Sequence, residues 1–212
     1  MFSIIIQAGG MSKRMGYNKA LLDFLGEPLI VRVITRIKPL ASEVLVTTNR
    51  PQDFEFLETP LVPDIIQNRG ALGGLYTALN AARYDLVAIL ACDMPFINPK
   101  LVEAEKEFLE IMGADLVVPV TKNGMEPLHA VYRKEKCLKE VKEAIVAEKW
   151  RVDSWYHKVN FQPFSLEEIL KFDPLLLSFR NVNNPQELQE AIELAKQLDS
   201  EDQKNKTPIS PD

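Results

Sequence analysis

The chain of 212 residues contains 46% hydrophobic and 26% charged residues, proportions typical of a single globular domain with a substantial core. Its net charge of -5 and its isoelectric point near 5.3 argue against broad binding to nucleic acids or to anionic membranes. The apolar stretches are too short to span a bilayer and the N-terminus shows no secretory leader pattern, so we expect a cytoplasmic location.

In the first half of the chain, short apolar runs alternate with segments of helical period. The pattern predicts strands at 2–6, 43–48, 85–91 and 115–120, and helices at 28–38, 73–83 and 98–113. Asn98 and Pro99 supply an N-cap and a first-turn proline for the third helix, and Gly113 ends it. This alternation predicts an α/β fold, a Rossmann-like three-layer sandwich in which helices cover both faces of a mainly parallel sheet.

The second half departs from strict alternation, so the sheet is expected to be mixed. Strands are predicted at 127–133 and 177–182, with a helix at 134–147 between them. Asn184 and Pro185 start a last helix whose apolar face reaches Leu198. Residues 200–212 are polar, contain two prolines and lack periodicity, which predicts a disordered tail after a single domain over residues 1–199.

A glycine-rich segment, QAGGMSKRMG at residues 7–16, follows the first predicted strand directly. Ligands of open parallel sheets bind at the carboxyl ends of strands, and glycines let backbone N–H groups approach an anion closely. Arg14 and Lys19 add positive charge suited to a triphosphate. The segment matches neither GxxxxGK[ST] nor GxGxxG, which disfavours a P-loop ATPase and a dinucleotide fold.

A single carboxylate, Asp93, ends the apolar strand predicted at 85–91, at the same edge of the sheet as the glycine-rich segment. Mg²⁺ prefers few protein carboxylates together with water and substrate phosphates. Asp93 is therefore predicted to hold Mg²⁺ against a triphosphate, although taken alone it could equally cap the following turn.

The residues of other common catalytic sites are scarce. Cys92 and Cys137 form no CxxC pair, and His129 and His157 lack metal-ligand spacing. A zinc site or a Ser-His-Asp triad is accordingly disfavoured. Cys92 ends an apolar run and is expected to be a buried small hydrophobe.

Two motifs, AGGMSKRMGYNK at 8–19 and CDMP at 92–95, resemble those of nucleotidyltransferases of the nucleotide-diphospho-sugar transferase fold. Further matches are GALGGL at 70–75, PLHA at 127–130 and NVNNPQEL at 181–188. With these, the chain from about Ile4 to Leu198 is most similar to the molybdenum cofactor guanylyltransferases. The resemblance implies a transferase that joins GMP from GTP to the phosphate of molybdopterin, with residues 1–120 mainly binding the nucleotide and residues 121–199 mainly binding the acceptor.

The resemblance also implies roles for individual residues. Lys19 and Arg14 would contact the phosphates, Asp93 would bind Mg²⁺ with Asn183 approaching the same metal, and Gly70 to Gly74 would close over the base and ribose. The implied nucleotide-binding residues are Gln7, Ala8, Gly9, Gly10, Lys19, Asn49, Asp64, Gly73 and Asp93. The glycine pair in Ala8-Gly9-Gly10 resembles the GTP-using branch, whereas Gln7 stands where leucine is usual.

The acceptor side is less clearly marked in the sequence. His129 fits either core packing or contact with the acceptor. Lys149 and Arg151 flank Trp150 and could bind a phosphate and a flat pterin, or they could form a solvated helix end with Trp150 in the core. Molybdenum-insertion and molybdoenzyme-maturation proteins are the partners implied, with no nucleic acid and no membrane.

Two other functions stay open at this point. One keeps the fold and triphosphate site but uses another base or acceptor, as in cytidylyl transfer to molybdopterin or transfer to a sugar phosphate or a polyol phosphate. The other is a nucleotide-binding partner protein that has lost catalysis. Retention of Lys19 and Asp93 argues against the second.

Overall fold

The computed structural model describes residues 1–9 and 18–206. The strands are β1 (Phe2–Gln7), β2 (Asp23–Phe24), β3 (Glu27–Pro28), β4 (Glu43–Thr48), β5 (Leu61–Pro63), β6 (Leu86–Ala91), β7 (Leu116–Thr121), β8 (Gly124–Met125), β9 (His129–Arg133) and β10 (Phe161–Phe164). The helices are α1 (Leu29–Ile37), α2 (Gly70–Ala81), α3 (Pro99–Ile111), α4 (Lys134–Val146), α5 (Leu166–Leu170) and α6 (Pro185–Lys206).

The main sheet has the strand order β10-β7-β9-β6-β1-β4-β5, with β8 paired to β7. Strands β6, β1, β4 and β5 are parallel to one another, whereas β9 runs antiparallel to both of its neighbours. The predicted mainly parallel, mixed α/β sheet is thus confirmed.

Side-chain alternation along the central strands builds the two faces of the core. On β1, Ile4 and Ile6 pack with α1 and α3, while Ile5 packs with α2 and α4 on the opposite face. Each fully buried side chain of this size contributes about 1.5–3 kcal/mol relative to exposure. Because both faces of the sheet are covered by helices, the central strands are apolar throughout and the arrangement has three layers.

The antiparallel direction of β9 decides where α4 ends. β9 starts beside the carboxyl ends of its neighbours, directly after Leu128, whose carbonyl accepts a hydrogen bond from the Ala91 N–H at 2.8 Å. The helix α4 follows β9 and runs back, so its C-terminal end returns to the same edge of the sheet. That edge therefore gathers strand ends from the first half and a helix end from the second.

Two predicted elements are corrected by the structure. The predicted strand at 177–182 is a 3-10 turn, Leu177–Phe179, followed by irregular chain, because the Asp173 carboxylate accepts hydrogen bonds from the N–H groups of Leu177 and Ser178. The last helix continues to Lys206, past the predicted start of the tail at residue 200, since Glu, Gln and Lys favour helix without an apolar face. Residues 207–212 lie outside the described chain.

Within residues 1–9 and 18–206, no helix is both long enough and apolar enough to cross a bilayer.

Candidate functional site

A cavity of about 890 Å³ opens at the carboxyl ends of the parallel strands β1, β4, β5 and β6. Its volume lies in the range that holds nucleotide-sized ligands. Its lining includes the predicted residues Gln7, Ala8, Gly9, Lys19, Asn49, Asp64 and Asp93. Residues distant in sequence are brought together here because parallel strands end at one edge of the sheet.

Lys19 lies between two oxygen-bearing side chains at one end of the cavity. Its Nζ donates a 2.6 Å hydrogen bond to Asn183 Oδ1 and lies 3.6 Å from Asp93 Oδ2. A local turn positions the lysine, since Asn18 Oδ1 accepts a hydrogen bond from the Ala20 N–H at 3.1 Å. The chain near Asn183 is held against Asp93 by a 2.9 Å hydrogen bond from the Val182 N–H to the Asp93 carbonyl.

The Asp93 carboxylate is strongly buried, with 16% of its side chain exposed. Burial raises the pKa of Asp93, and the nearby Lys19 ammonium opposes this rise without cancelling it. Its Oδ1 is buried without a hydrogen-bond partner in the described part of the chain. An anionic oxygen in that state is suited to a cation supplied by a ligand.

A second group of polar residues in the cavity consists of Gln7, Asn49 and Asp64, with Gly74 beside them. Asn49 donates a side-chain hydrogen bond to Asp64, and burial nevertheless raises the pKa of that carboxyl. Gln7 is 9% exposed, and its amide packs so closely against Gly74 that a Cβ at position 74 would lie 3.0 Å from Oε1. Hydroxyl groups and a flat ring are the ligand parts that such donors and acceptors fit.

Gly73 was predicted to contact the nucleotide, and the structure gives it a different environment. It is buried in α2, and a Cβ there would lie 2.8 Å from Arg69 Cβ and 2.9 Å from the Ile66 carbonyl oxygen. Gly73 thus allows close packing of the preceding loop, while Gly74 faces the cavity. The GALGGL motif by itself does not distinguish these two glycines.

Gly10 and Arg14 were also predicted to contact the nucleotide and its phosphates. Both lie outside the described residues, in the segment 10–17. Gly9, immediately before this segment, lines the cavity, and a Cβ at this position would make an ordinary van der Waals contact with Asp64 Oδ2 at 3.7 Å.

His129 does not reach the cavity, which corrects its prediction as an acceptor-binding residue. Its side chain is fully buried, Nε2 lies 3.3 Å from Oε1 of the equally buried Glu105, and the Phe179 ring lies 4.7 Å away. Burial raises the pKa of Glu105, with the His129 contact opposing that rise. His129 is therefore a core residue in the structure.

Lys149 and Arg151, the other predicted acceptor residues, are exposed and do not line the cavity. The Arg151 guanidinium, 81% exposed, donates to both oxygens of Asp153 at 2.9 and 2.6 Å. Trp150 is 63% exposed rather than part of the core. The guanidinium of Arg69 stacks on its ring, with Cζ 4.5 Å from the ring centroid. The cation beside Trp150 is thus supplied by a residue 81 positions earlier in the chain.

Sequence reasoning about single sites missed several lining residues of the cavity, among them Asn181 and Arg69. Asn181 lines the cavity with a buried Oδ1 that has no partner among the described residues. The spacing of Asn181 and Asn183 on extended chain was the available signal, since alternate residues share a face. Arg69 also lines the cavity, and no local pattern marks it.

The sequence matches the family of MobA-like NTP transferase domains over residues 4–159. It is 36% identical over 191 residues to a probable molybdenum cofactor guanylyltransferase of Pelotomaculum thermopropionicum, covering 90% of this chain and 92% of that protein. It is 33% identical over 193 residues to the molybdenum cofactor guanylyltransferase of Desulfosudis oleivorans, covering 88% of this chain and 92% of that one.

Among solved structures, molybdopterin-guanine dinucleotide biosynthesis protein A from Archaeoglobus fulgidus superposes with a TM-score of 0.80 at 25% identity, covering 92% of this chain and 99% of that chain. A CMP:2-keto-3-deoxy-manno-octonic acid synthetase complexed with CTP superposes with a TM-score of 0.70 at 17% identity, over 92% of this chain and 98% of that chain. The second likeness concerns the fold alone.

Proposed function

Because the chain belongs to the MobA-like NTP transferase family, we propose that it transfers GMP from GTP to the phosphate of molybdopterin and releases pyrophosphate. The cluster of Lys19, Asp93 and Asn183 at one end of the cavity is the observation that carries this proposal. The cluster combines one cation with an anionic and a neutral oxygen. A nucleotide bound at the carboxyl ends of the parallel strands would have its triphosphate there.

The reaction needs no basic side chain to activate the acceptor. An oxygen of the molybdopterin phosphate, ionised near neutral pH, forms a bond to the α-phosphorus of GTP. The bond from that phosphorus to the bridging oxygen breaks, and pyrophosphate leaves with the electron pair. The protein has to align two anions and neutralise the developing charge.

The cavity residues are consistent with a reaction that needs charge neutralisation rather than a basic or nucleophilic side chain. The Cys92 thiol is a poor nucleophile because burial raises its pKa, and His129 is enclosed in the core. Lys19 is the described cation beside Asp93 and is placed to hold the triphosphate and to stabilise the leaving pyrophosphate.

We propose Mg²⁺ as the divalent metal that members of this family generally use. The residues present fit it, since Asp93 and Asn181 each offer to the cavity a buried oxygen without a partner in the described chain, and Asn183 offers an amide oxygen that accepts from Lys19. No group of three or more His, Cys, Asp or Glu side chains in the described ranges could hold a metal alone, so substrate phosphates would complete the site. When bound, the ion would neutralise phosphate charge in the transition state.

For the nucleoside, we propose that Gln7, Ala8, Gly9, Asn49 and Asp64 bind the guanosine part of GTP. The hydrogen-bonded pair of Asn49 and Asp64 fits ribose hydroxyls, and the Gln7 amide beside Gly74 fits a base edge. Gly10 and Arg14 stay predictions for the phosphates. The cytoplasmic location and the maturation partner proteins also stay predictions.

The first test is thermal unfolding of the purified protein with GTP, CTP, ATP or UTP, each with Mg²⁺. A ligand present at a hundred times its Kd stabilises the native state by about 2.7 kcal/mol. For a protein of this size this corresponds to a rise in Tm of about 5–10 °C. We expect this rise with GTP, followed by GTP-dependent pyrophosphate release when molybdopterin is added.

Other outcomes would support the competing functions. Selective stabilisation by CTP would indicate cytidylyl transfer. Stabilisation by GTP without release of pyrophosphate from GTP in the presence of any phosphate acceptor would indicate a nucleotide-binding protein without catalysis. No stabilisation by any triphosphate would contradict the proposed function.

A further inference from the structure

Glu126 is a carboxylate of the cavity that the proposed reaction does not use. The described lining residues that follow position 120 are Glu126, Pro127, Leu128 and Asn181. Glu126 carries the charge of this group and lies in the connection between β8 and β9, whereas the other lining carboxylates, Asp64 and Asp93, follow β5 and β6. It therefore stands on the wall of the cavity that the second half of the chain supplies.

The backbone around Glu126 is fixed by hydrogen bonds. Its N–H donates to the Pro119 carbonyl on β7 at 3.0 Å, and its carbonyl accepts from the His129 N–H at 3.0 Å. The carbonyl of the next residue, Pro127, accepts from the Tyr132 hydroxyl at 2.7 Å. Glu126 thus has a defined place before a ligand arrives, which lowers the entropy cost of a contact with it.

The side chain of Glu126 is held through one oxygen and leaves the other for a ligand. The Thr121 hydroxyl donates to Oε1 at 3.2 Å. Oε2 has no hydrogen-bond partner within residues 1–9 and 18–206, and these residues do not enclose it fully. A carboxylate offers about four acceptor positions, and the Thr121 contact occupies one of them.

The surroundings of Glu126 favour a flat ligand that brings hydrogen-bond donors. Burial raises the pKa of Glu126, with the Thr121 hydrogen bond and the nearby His129 opposing this rise. A half-buried carboxylate is stabilised when a ligand supplies donors in place of water. Pro127 and Leu128 beside it add apolar surface to the cavity wall, on which a ring can lie.

The class of ring follows from the chemistry of a carboxylate. An ionised carboxylate only accepts hydrogen bonds, so it selects a ring edge that presents donors side by side. An amino group next to a ring N–H is such an edge. Guanine and pterin rings both carry it, and both occur among the substrates of the proposed reaction.

We propose, resting on the guanylyl transfer proposed above, that Glu126 selects the acceptor by accepting hydrogen bonds from the amino group and the adjacent N–H of its pterin ring. The guanine of GTP has the same donor pair, but the nucleoside-binding candidates lie at strand ends of the first half of the chain. Glu126 lies on the opposite contribution to the cavity and is therefore assigned to the pterin. Thr121 is a positioning residue, since it acts through the carboxylate that it holds.

The first test replaces the Glu126 carboxylate by an amide of the same size. In Glu126→Gln the Thr121 hydroxyl keeps its acceptor, so the amide NH2 takes the place of Oε2 and a donor faces the donors of the pterin. Pyrophosphate release is measured at saturating GTP. The KM for molybdopterin should rise about 10- to 100-fold with kcat nearly unchanged, because the pterin ring is remote from the reacting phosphate.

The second test uses rings that differ only in the amino group. 6-Hydroxymethylpterin and 6-hydroxymethyllumazine, which has a carbonyl in place of the amino group, are compared as inhibitors that compete with molybdopterin. The pterin should inhibit the unmodified chain at least about tenfold more strongly than the lumazine. Glu126→Gln should reverse this order, because the amide NH2 can donate to the lumazine carbonyl.

A matched control and a nucleotide comparison complete the experiment. Glu167→Gln removes an exposed carboxylate of α5 that does not line the cavity, and it should change neither the KM nor the order of the inhibitors. Calorimetry with GTP and XTP, which has a carbonyl in place of the guanine amino group, identifies the ring that Glu126 contacts. If Glu126→Gln exchanges a preference for GTP for one for XTP, Glu126 contacts the nucleotide base and its assignment to the acceptor is wrong.

The remaining outcomes separate this inference from the proposed function. If the unmodified chain turns over molybdopterin and Glu126→Gln leaves the KM and the order of the inhibitors unchanged, Glu126 only fixes the connection between β8 and β9. The inference is then wrong while the guanylyl transfer stands. If the unmodified chain releases no pyrophosphate from GTP with molybdopterin, the proposed function itself is wrong, and the inference is overturned with it.

Discussion

Replacing Asp93 by asparagine removes a negative charge while keeping the size of the side chain. In the native protein Asp93 Oδ2 lies 3.6 Å from the Lys19 ammonium. At an effective dielectric constant of about 20, charges at this distance attract by about 5 kcal/mol. The pKa of Asp93 is raised even so, because burial disfavours the carboxylate more than Lys19 stabilises it.

The expected effects of Asp93→Asn on stability and on turnover therefore have opposite signs. A raised native pKa means that the native state binds more protons than the unfolded state between the ordinary value of 3.8 and the native value. Stability of the unmodified protein should fall as pH rises through this window, and the variant should lack that slope and be at least as stable at pH 7. Turnover should fall at least about a thousandfold, or about 4 kcal/mol, because the metal loses its charged ligand.

Two assays measure the predicted loss of turnover and the predicted unchanged or increased stability of Asp93→Asn. Pyrophosphate release from GTP and molybdopterin measures turnover, and thermal unfolding between pH 4 and pH 8 measures the stability slope. Glu103→Gln, which removes an exposed carboxylate on α3 away from the cavity, is the matched control. Turnover near that of the control would remove the metal assignment, and a marked loss of stability would show that the carboxylate is needed for the fold.

Three further predictions concern the phosphate site, the buried contact between His129 and Glu105, and the packing of α2. Lys19→Ala should lower turnover at least about a hundredfold, and a loss no greater than that of the exposed-lysine control Lys196→Ala would make Lys19 peripheral. His129→Leu should cost about 1–3 kcal/mol in urea unfolding, since it leaves the buried Glu105 carboxyl without its polar neighbour, and Glu105→Leu added to it should restore most of that loss. Additive costs in the double variant would mean that the two side chains do not interact. Gly73→Ala should cost about 1–3 kcal/mol of unfolding free energy, because the new Cβ would lie 2.9 Å from a backbone carbonyl oxygen, and unchanged stability would contradict this packing.

The fold was largely predictable because its signals are local. Apolar runs that are buried on both faces predict central strands such as β1 and β6, and Asn98 with Pro99 predicts the start of α3, where the Asn98 side chain accepts a hydrogen bond from the Lys100 N–H. The failure at 177–182 has a non-local cause. Apolar side chains there pack into the core from a turn that Asp173 holds, and periodicity alone cannot distinguish this from a strand.

The phosphate end of the candidate site followed from sequence for a similar reason. Asp93 comes shortly after β6, Lys19 ends the glycine-rich motif that follows β1, and parallel strands end at one edge of a sheet. The fold class thus placed both residues at this edge, and the turn at Lys19 together with Asn183 sets the distance of 3.6 Å. Sequence reasoning placed Asn183 near them through a family motif rather than through spacing.

The acceptor and base ends depended on contacts between distant segments. His129 has the same sequence context whether it faces a ligand or the core, and only the packing of α3 places Glu105 beside it. Arg69 and the α4 carbonyls are separated by 76 to 80 residues and meet because β9 is antiparallel, which turns α4 back to the cavity. Periodicity, capping and turn chemistry act over a few residues and so determine the elements, whereas the direction of one strand decides which side chains share a site.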